Sequence, residues 1–455
     1  MTLSATSGRY VVLALMCSLS MITYLDRVCI GVAAPLIASD LGLESVTNLK
    51  WAFTSFFMAY AIFEIPTGWM GDCLGPRAML IRIVLWWSAC TALTGVVGLH
   101  LGSWVLGGLG TLILVRFLFG AGEAGAYPNI TRALYNWFPP HEWEFAQSLV
   151  WMSGRLMGGV TPLLWMLLVT GTSSTPALVN WRGAFLGFGT VGIVWCIIFR
   201  IVFRNYPETV ESFPVAVPSV PVEVSHQGIP WKWMLTHPKL LALCALYALV
   251  NYGWAFNITY LPGYLQQRFS GAESETLIAV YTGAPLWVGA FGCLSGGYCI
   301  SLLDRRVRNR RLSRRILGMT AMLGCALCWS IARQADNLHV FCISVVMSAF
   351  CSDMTMGAIW ATCQDIGRHR IAVAAAFMNT IGTLGGALAG WLTGSLVQQA
   401  VARQAFLEQV PIESLSASAR ALSEYHGFQF VFLTYLIVYL IAAGCWLLVR
   451  THSPE

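Results

Sequence analysis

The stretch 109–128, LGTLILVRFLFGAGEAGAYP, is apolar and long enough to cross a bilayer, yet it carries Arg116 and Glu123. Seven residues is close to two helical turns, so both charges project from one face of a helix. A charge at bilayer depth costs about 2.5–3.5 kcal/mol on insertion scales and needs a partner, a cavity or a task. A helix so built is expected to line a polar path through the membrane. Gly120, Gly122 and Gly125 let a neighbouring helix come close. Arg155, in Trp151-Met-Ser-Gly-Arg155-Leu-Met-Gly158-Gly159, is a further cation at membrane depth. A guanidinium binds a carboxylate bidentately, so Arg155 is a candidate substrate anchor; snorkelling to the interface is the alternative.

The elements that must hold these charges follow from composition. Of 455 residues, 57% are hydrophobic and 11% charged, which excludes a soluble globular protein. At about 20 apolar residues per crossing, twelve spans are expected, at 10–38, 50–71, 79–101, 105–128, 145–170, 182–203, 238–267, 276–302, 313–333, 338–362, 370–398 and 427–449. An even number puts both termini on one side. With that side cytoplasmic, 18 of the 27 Lys and Arg fall in inner loops and ends, 6 in outer ones and 3 inside spans. The positive-inside rule then makes both termini cytoplasmic. The net charge of +6 is topological, so nucleic acid is not an expected partner. Residues 204–237, with five prolines, read as an extended tether with a short surface helix near 230–236, dividing a half at 1–203 from a half at 238–455. The outer loop at 399–426 reads as partly helical. The 14 cysteines are scattered, and the pair Cys325 and Cys328 reads as core packing. No metal site, cofactor or cleavable signal peptide is expected. With no GxxxxGK[S/T] and no nucleophile constellation, neither an ATP-driven pump nor an enzyme is indicated.

Between spans two and three the chain reads Gly68-Trp-Met-Gly-Asp72-Cys-Leu-Gly75-Pro-Arg77. This GxxxDxxGxR pattern resembles the signature of the major facilitator superfamily, an all-α fold of twelve transmembrane helices in two six-helix halves. Its glycines allow a tight turn, and Asp72 can meet a helix N-terminus or an arginine, so Gly68, Asp72 and Arg77 are expected to gate rather than bind substrate. Tyr24-Leu-Asp26-Arg27, Phe63-Glu-Ile-Pro-Thr-Gly68, Arg116-x3-Gly120-x2-Glu123-Ala124 with Tyr127-Pro128, Trp137-Phe-Pro139 and Trp181-Arg182 resemble the anion:cation symporter branch. So do Tyr260-Leu-Pro262, Asp365-Ile-Gly367, and Asn379 with Gly385-Gly386. That branch includes bacterial sugar-acid importers for hexuronate and galactonate.

The resemblance implies that Asp26 and Glu123 are protonatable carboxylates and that Arg27 and Arg116 are their cationic partners. An anion competing for the arginine frees the carboxylate to take a proton, which couples the two fluxes. A permanent structural ion pair is the alternative for both arginines. Tyr60, Tyr127 and Asn379 are candidate substrate contacts, with core packing or a helix–helix bond as the alternative; Asn251, Trp254 and Asn257 share one helix face. Asp353 has no assigned role. Glu64 stands where many members of the branch carry an uncharged residue, so an additional proton site is possible. In the second half, Gly296-Gly297 precedes Asp304 at the wrong spacing for a second latch. The expected function is proton symport of a small organic anion, a sugar acid or related carboxylate, by a monomer in a bacterial inner membrane. An exporter of hydrophobic compounds and a non-transporting membrane sensor stay open.

Overall fold

In lipid, an apolar chain can satisfy its backbone hydrogen bonds only within helices or closed barrels, and the long apolar runs here form helices. The computed structural model describes residues 5–43, 46–101, 104–171, 176–207, 228–269 and 275–449. The linker residues Pro214, Pro218 and Pro221, and Arg450 in the tail, lie outside these. The helices are α1 (Ala5–Asp40), α2 (Lys50–Leu74), α3 (Pro76–Thr94), α4 (Leu109–Glu123), α5 (Ala126–Trp137), α6 (Trp143–Trp165) and α7 (Trp181–Val202). A short α8 (Trp231–Thr236) then precedes α9 (Pro238–Thr259), α10 (Leu261–Phe269), α11 (Glu275–Val307) and α12 (Arg310–Gln334). The chain ends with α13 (Leu338–Asp353), α14 (Met356–Gly367), α15 (Ile371–Glu408) and α16 (Ala417–Leu448).

Among the described residues, nine stretches are long and apolar enough to cross a membrane. One of them, Leu338–Glu408, holds two crossings, and α2 and α3 complete the twelve. The fourth crossing continues past 128 to Trp137 because Gly125, at φ 84°, turns the chain from α4 into α5. Pro128 then lies in the first turn of α5, where a missing N–H costs little. The tenth is broken likewise, at Met354 and Thr355 between α13 and α14. The third crossing stops at Thr94 rather than 101, because Gly98 and Gly107 take positive φ and flank an antiparallel ribbon, Leu99–Leu101 paired with Trp104–Leu106. The seventh ends at Thr259, before Pro262 in the first turn of α10.

The chain divides into two compact units, Met1–Thr236 with Trp360–Thr380, and His237–Ile359 with Ile381–Glu455. In the first, α1 packs on α6, α2 on α4 and α3 on α7. Close approach explains the glycines of α6: a Cβ on Gly154 would lie 2.6 Å from Ser20 Oγ and 2.7 Å from the Tyr24 ring, and one on Gly158 2.9 Å from that ring. This is the small-xxx-small packing of membrane helices. Along α7, Ile193, Ile197 and Ile201 are exposed while Phe185, Trp195 and Phe199 are buried, which marks its lipid face. Trp181 Nε1 donates to Asp40 Oδ2 at 2.9 Å, and Arg182 pairs with the same oxygen at 3.3 Å, closing the ends of α1 and α7. In the second unit, α11 packs on α13 and α12 on α16, around an aromatic core of Phe256, Trp329, Phe432 and Tyr435.

Candidate functional site

Asp26 and Arg27 are adjacent on α1, so their side chains leave the helix about 100° apart and meet different neighbours. Asp26 is buried and accepts from Thr91 Oγ1 of α3 at 3.4 Å. Arg27 turns to α4, where its Nε donates to Glu123 Oε1 at 2.6 Å. The two partners differ in access: the Arg27 side chain is 29% exposed, whereas Glu123 is 0% exposed. The guanidinium also lies over the Tyr60 ring, 4.9 Å from its centroid, and over Phe56 at 5.8 Å. Glu123 Oε2 and Arg27 Nη2 are buried without hydrogen-bond partners among the described residues.

Arg116 does not make the pair with Glu123 that the shared helix face invites. Its guanidinium packs on the rings of Phe119 at 4.5 Å and Phe56 at 5.1 Å, and the residue is 3% exposed. It remains within electrostatic reach of Glu123 and Asp26. Two acids and two arginines thus occupy one buried cluster, of which Arg27 is the most exposed member.

Tyr127 and Arg155 lie in a second group. The Tyr127 hydroxyl shares a 2.8 Å hydrogen bond with Ser20 Oγ, and its ring stacks on Trp151 at 4.5 Å with Trp360 at 6.1 Å. Arg155 is 4% exposed, donates from Nη1 to the Tyr24 hydroxyl at 3.2 Å and lies over the Tyr24 and Trp151 rings at 5.9 Å. Its guanidinium is thus held between α6 and Tyr24 of α1. Arg27 is within electrostatic reach of Tyr24, Tyr60 and Tyr127, which links the two groups. A planar guanidinium bordered by aromatic faces and hydroxyls is suited to a small carboxylate with hydroxyl or similar polar substituents.

Asn379 donates from Nδ2 to Glu64 Oε1 at 2.6 Å and to the Tyr60 hydroxyl at 3.4 Å. Asp72 accepts the backbone amides of Ala372 at 3.0 Å and Val373 at 2.9 Å, in the first turn of α15, with Arg132 Nη1 3.5 Å away. A carboxylate is favoured there by the helix dipole and the orphan amides. Gly68 lies one turn away with no room for a side chain, since a Cβ would sit 2.6 Å from Ala372 O. Arg77 is placed elsewhere: its backbone amide donates to Asn205 Oδ1 at 2.9 Å and its side chain to Arg200 O at 2.5 Å, tying α3 to the end of α7. In the second unit, Asp353 is buried against Gly289 of α11, Asn257 is buried, and Asn251 is bonded to Tyr247 O.

Several participants were not singled out by the sequence. Ser20, Thr380, Trp360 and Arg132 are unremarkable by type, and their roles come from which helices adjoin. Arg132 also donates to Arg368 O at 3.2 Å and His369 O at 3.1 Å. Its one signal was position, near the end of a crossing beside Asn136, where a buried arginine needs acceptors.

The family model described as Major Facilitator Superfamily matches residues 16–390. A probable sulfoacetate transporter of Cupriavidus necator is 30% identical over 402 residues, covering 86% of this chain and 88% of that protein. A hexuronate transporter of Bacillus subtilis is 27% identical, covering 83% and 85%. Among solved structures, the major facilitator superfamily proton:xylose symporter XylE with a bound bromodeoxyglucose aligns over 98% of this chain and 97% of its own, with a TM-score of 0.73 at 12% identity, a likeness of fold.

Proposed function

The chain belongs to the Major Facilitator Superfamily and is a multi-pass membrane transporter, not an enzyme, and from that premise we propose that it carries a small organic anion together with protons by alternating access. The observation that carries the reading is the Arg27–Glu123 bond, in which the cation is partly open and the carboxylate is not. An anion that reaches Arg27 competes with Glu123 for the guanidinium. Glu123, left buried without its cation, takes a proton, because an unpaired charge is costly at low dielectric. Proton and anion then cross together, and loss of the anion restores the pair. Arg116, held between Phe56 and Phe119, offsets the negative charge of the two carboxylates so that an anion can approach Arg27, while Asp26 is the second carboxyl available to a proton.

The substrate class is a sugar acid or related small carboxylate. Sulfoacetate and hexuronate, named for the two relatives, are both small polar carboxylates, and Tyr60, Tyr127, Arg155 and Asn379 offer hydroxyl, guanidinium and amide groups of the kinds that bind them. Asp72, Gly68 and Arg77 belong to the gate, with the grip of Asp72 on the start of α15 released in one stage of the cycle. The protein works as a monomer in a bacterial inner membrane, both termini cytoplasmic, with halves 1–203 and 238–455 joined by the linker 204–237.

Uptake into proteoliposomes tests this, with labelled sulfoacetate, glucuronate, galactonate and neutral xylose, under an imposed inward proton gradient. Accumulation of one of the acids that collapses with a protonophore is expected. Uptake of none of them, or accumulation indifferent to the proton gradient and driven instead by sodium, contradicts the proposal.

A further inference from the structure

Four residues of α2 lie four apart along one face: Tyr60, Glu64, Gly68 and Asp72. Each meets the start of α15. Asp72 takes the amides of Ala372 and Val373, Gly68 lies against Ala372 and Ala376, Glu64 takes Asn379 and Thr380, and Tyr60 takes Asn379. The partners on α15 recur at the same helical spacing, so the two helices are joined along about 18 Å of α2. Thr380 is the last residue of α15 that packs with the first compact unit, and the remainder of the same helix packs with the second. Glu64 therefore bonds the last two residues of α15 that belong to the first unit.

The two carboxylates of this seam have different partners. Asp72 is paired by Arg132 and by two backbone amides. Glu64 is 0% exposed, and its two oxygens accept from neutral side-chain donors, Asn379 Nδ2 at 2.6 Å and Thr380 Oγ1 at 3.2 Å. The titratable and charged groups that face it are Tyr60 on its own helix and Arg27 on α1. Arg27 is bonded to Glu123. An ionised Glu64 makes two charge-assisted bonds, which are about twice as strong as neutral ones. A protonated Glu64 loses that charge and keeps only neutral bonds.

We infer that Glu64 is a proton-dependent positioning residue: ionised, it fastens residues 371–380 of α15 to α2, and protonated, it loosens them. This assignment stands apart from the Arg27–Glu123 switch. It needs no substrate, and it gives α15 a proton sensor of its own in the seam, apart from Asp72.

Hydrogen–deuterium exchange of the full chain in lipid nanodiscs tests it, followed on peptides spanning 371–380 and corrected for the intrinsic pH dependence of amide exchange. In the wild type, protection of this segment should fall about tenfold between about pH 8 and about pH 5, with the α7 peptides unchanged. Glu64→Gln should give a pH-independent profile, and Glu64→Asp should restore the dependence with a displaced midpoint. Should Glu64→Gln not fold, Thr380→Val removes one of the two donors and should lower protection at pH 8 while flattening the profile. A wild-type profile without pH dependence overturns the inference. So does a Glu64→Gln profile that follows the wild type, a Thr380→Val profile unchanged from it, or a dependence lost in Asp72→Asn alone, which would place the proton on Asp72.

Discussion

At the scale of the residue, the informative fact is which arginine holds Glu123. Arg116 and Glu123 share a helix face in the sequence, and an i, i+7 pair on α4 is the natural reading. The bond is instead made across helices by Arg27, while Arg116 is sandwiched by phenylalanines. The two cations should therefore fail differently. Arg27→Lys keeps the charge but loses the planar fork that spans Glu123 and the Tyr60 ring, so substrate affinity should fall about tenfold or more. Affinity within a factor of two of wild type in a binding titration would remove Arg27 from the site. Arg116→Ala removes the second cation within reach of Asp26 and Glu123, leaving Arg27 alone, and should abolish detectable anion binding while the protein stays folded. Unchanged affinity there would make Arg116 a structural residue. That charges were embedded, and which ones, was legible in the sequence; their pairing was not, because it depends on the rotation of α1 against α4, which no local spacing encodes.

At the scale of the element, the crossings were legible from their apolar length, and their interruptions were less so. Gly125 and Pro128 looked like the end of a span, yet a left-handed glycine followed by a first-turn proline restarts the helix. The same ambiguity hid Arg132 as a buried residue of α5, and with it the clasp on Asp72. The glycines of α6 were visible as a pattern, but only the adjoining Ser20 and Tyr24 show why the pattern is needed. Gly154→Leu should cost about 1–3 kcal/mol through overpacking against Tyr24. It should lower the unfolding temperature, read by intrinsic tryptophan fluorescence in detergent. Gly31→Leu on α1, where a Cβ would meet nothing within 4 Å, is the matched control and should be neutral or slightly stabilising. Equal effects at the two sites would contradict the close packing of α1 on α6.

At the scale of the whole molecule, twelve crossings and the arginine-rich turn at 305–315 were legible from composition and the distribution of basic residues alone. The excursion of residues 360–380 into the first unit was not, because it rests on Asp72, Gln364 and Arg132 finding partners more than 200 residues away in the chain. The topology makes its own prediction. Epitope tags at the two ends should both be protected in right-side-out vesicles and both be cleaved after inversion; tags on opposite sides would refute an even number of crossings. The central claim is that Glu123 takes the proton when an anion takes Arg27, and one comparison addresses it most directly. In proteoliposomes, wild type and Glu123→Gln are assayed for accumulation driven by a proton gradient and for exchange of labelled against unlabelled substrate without one. Loss of accumulation with exchange retained is the expected result. Accumulation against a gradient by Glu123→Gln would show that the coupling proton does not pass through this carboxyl.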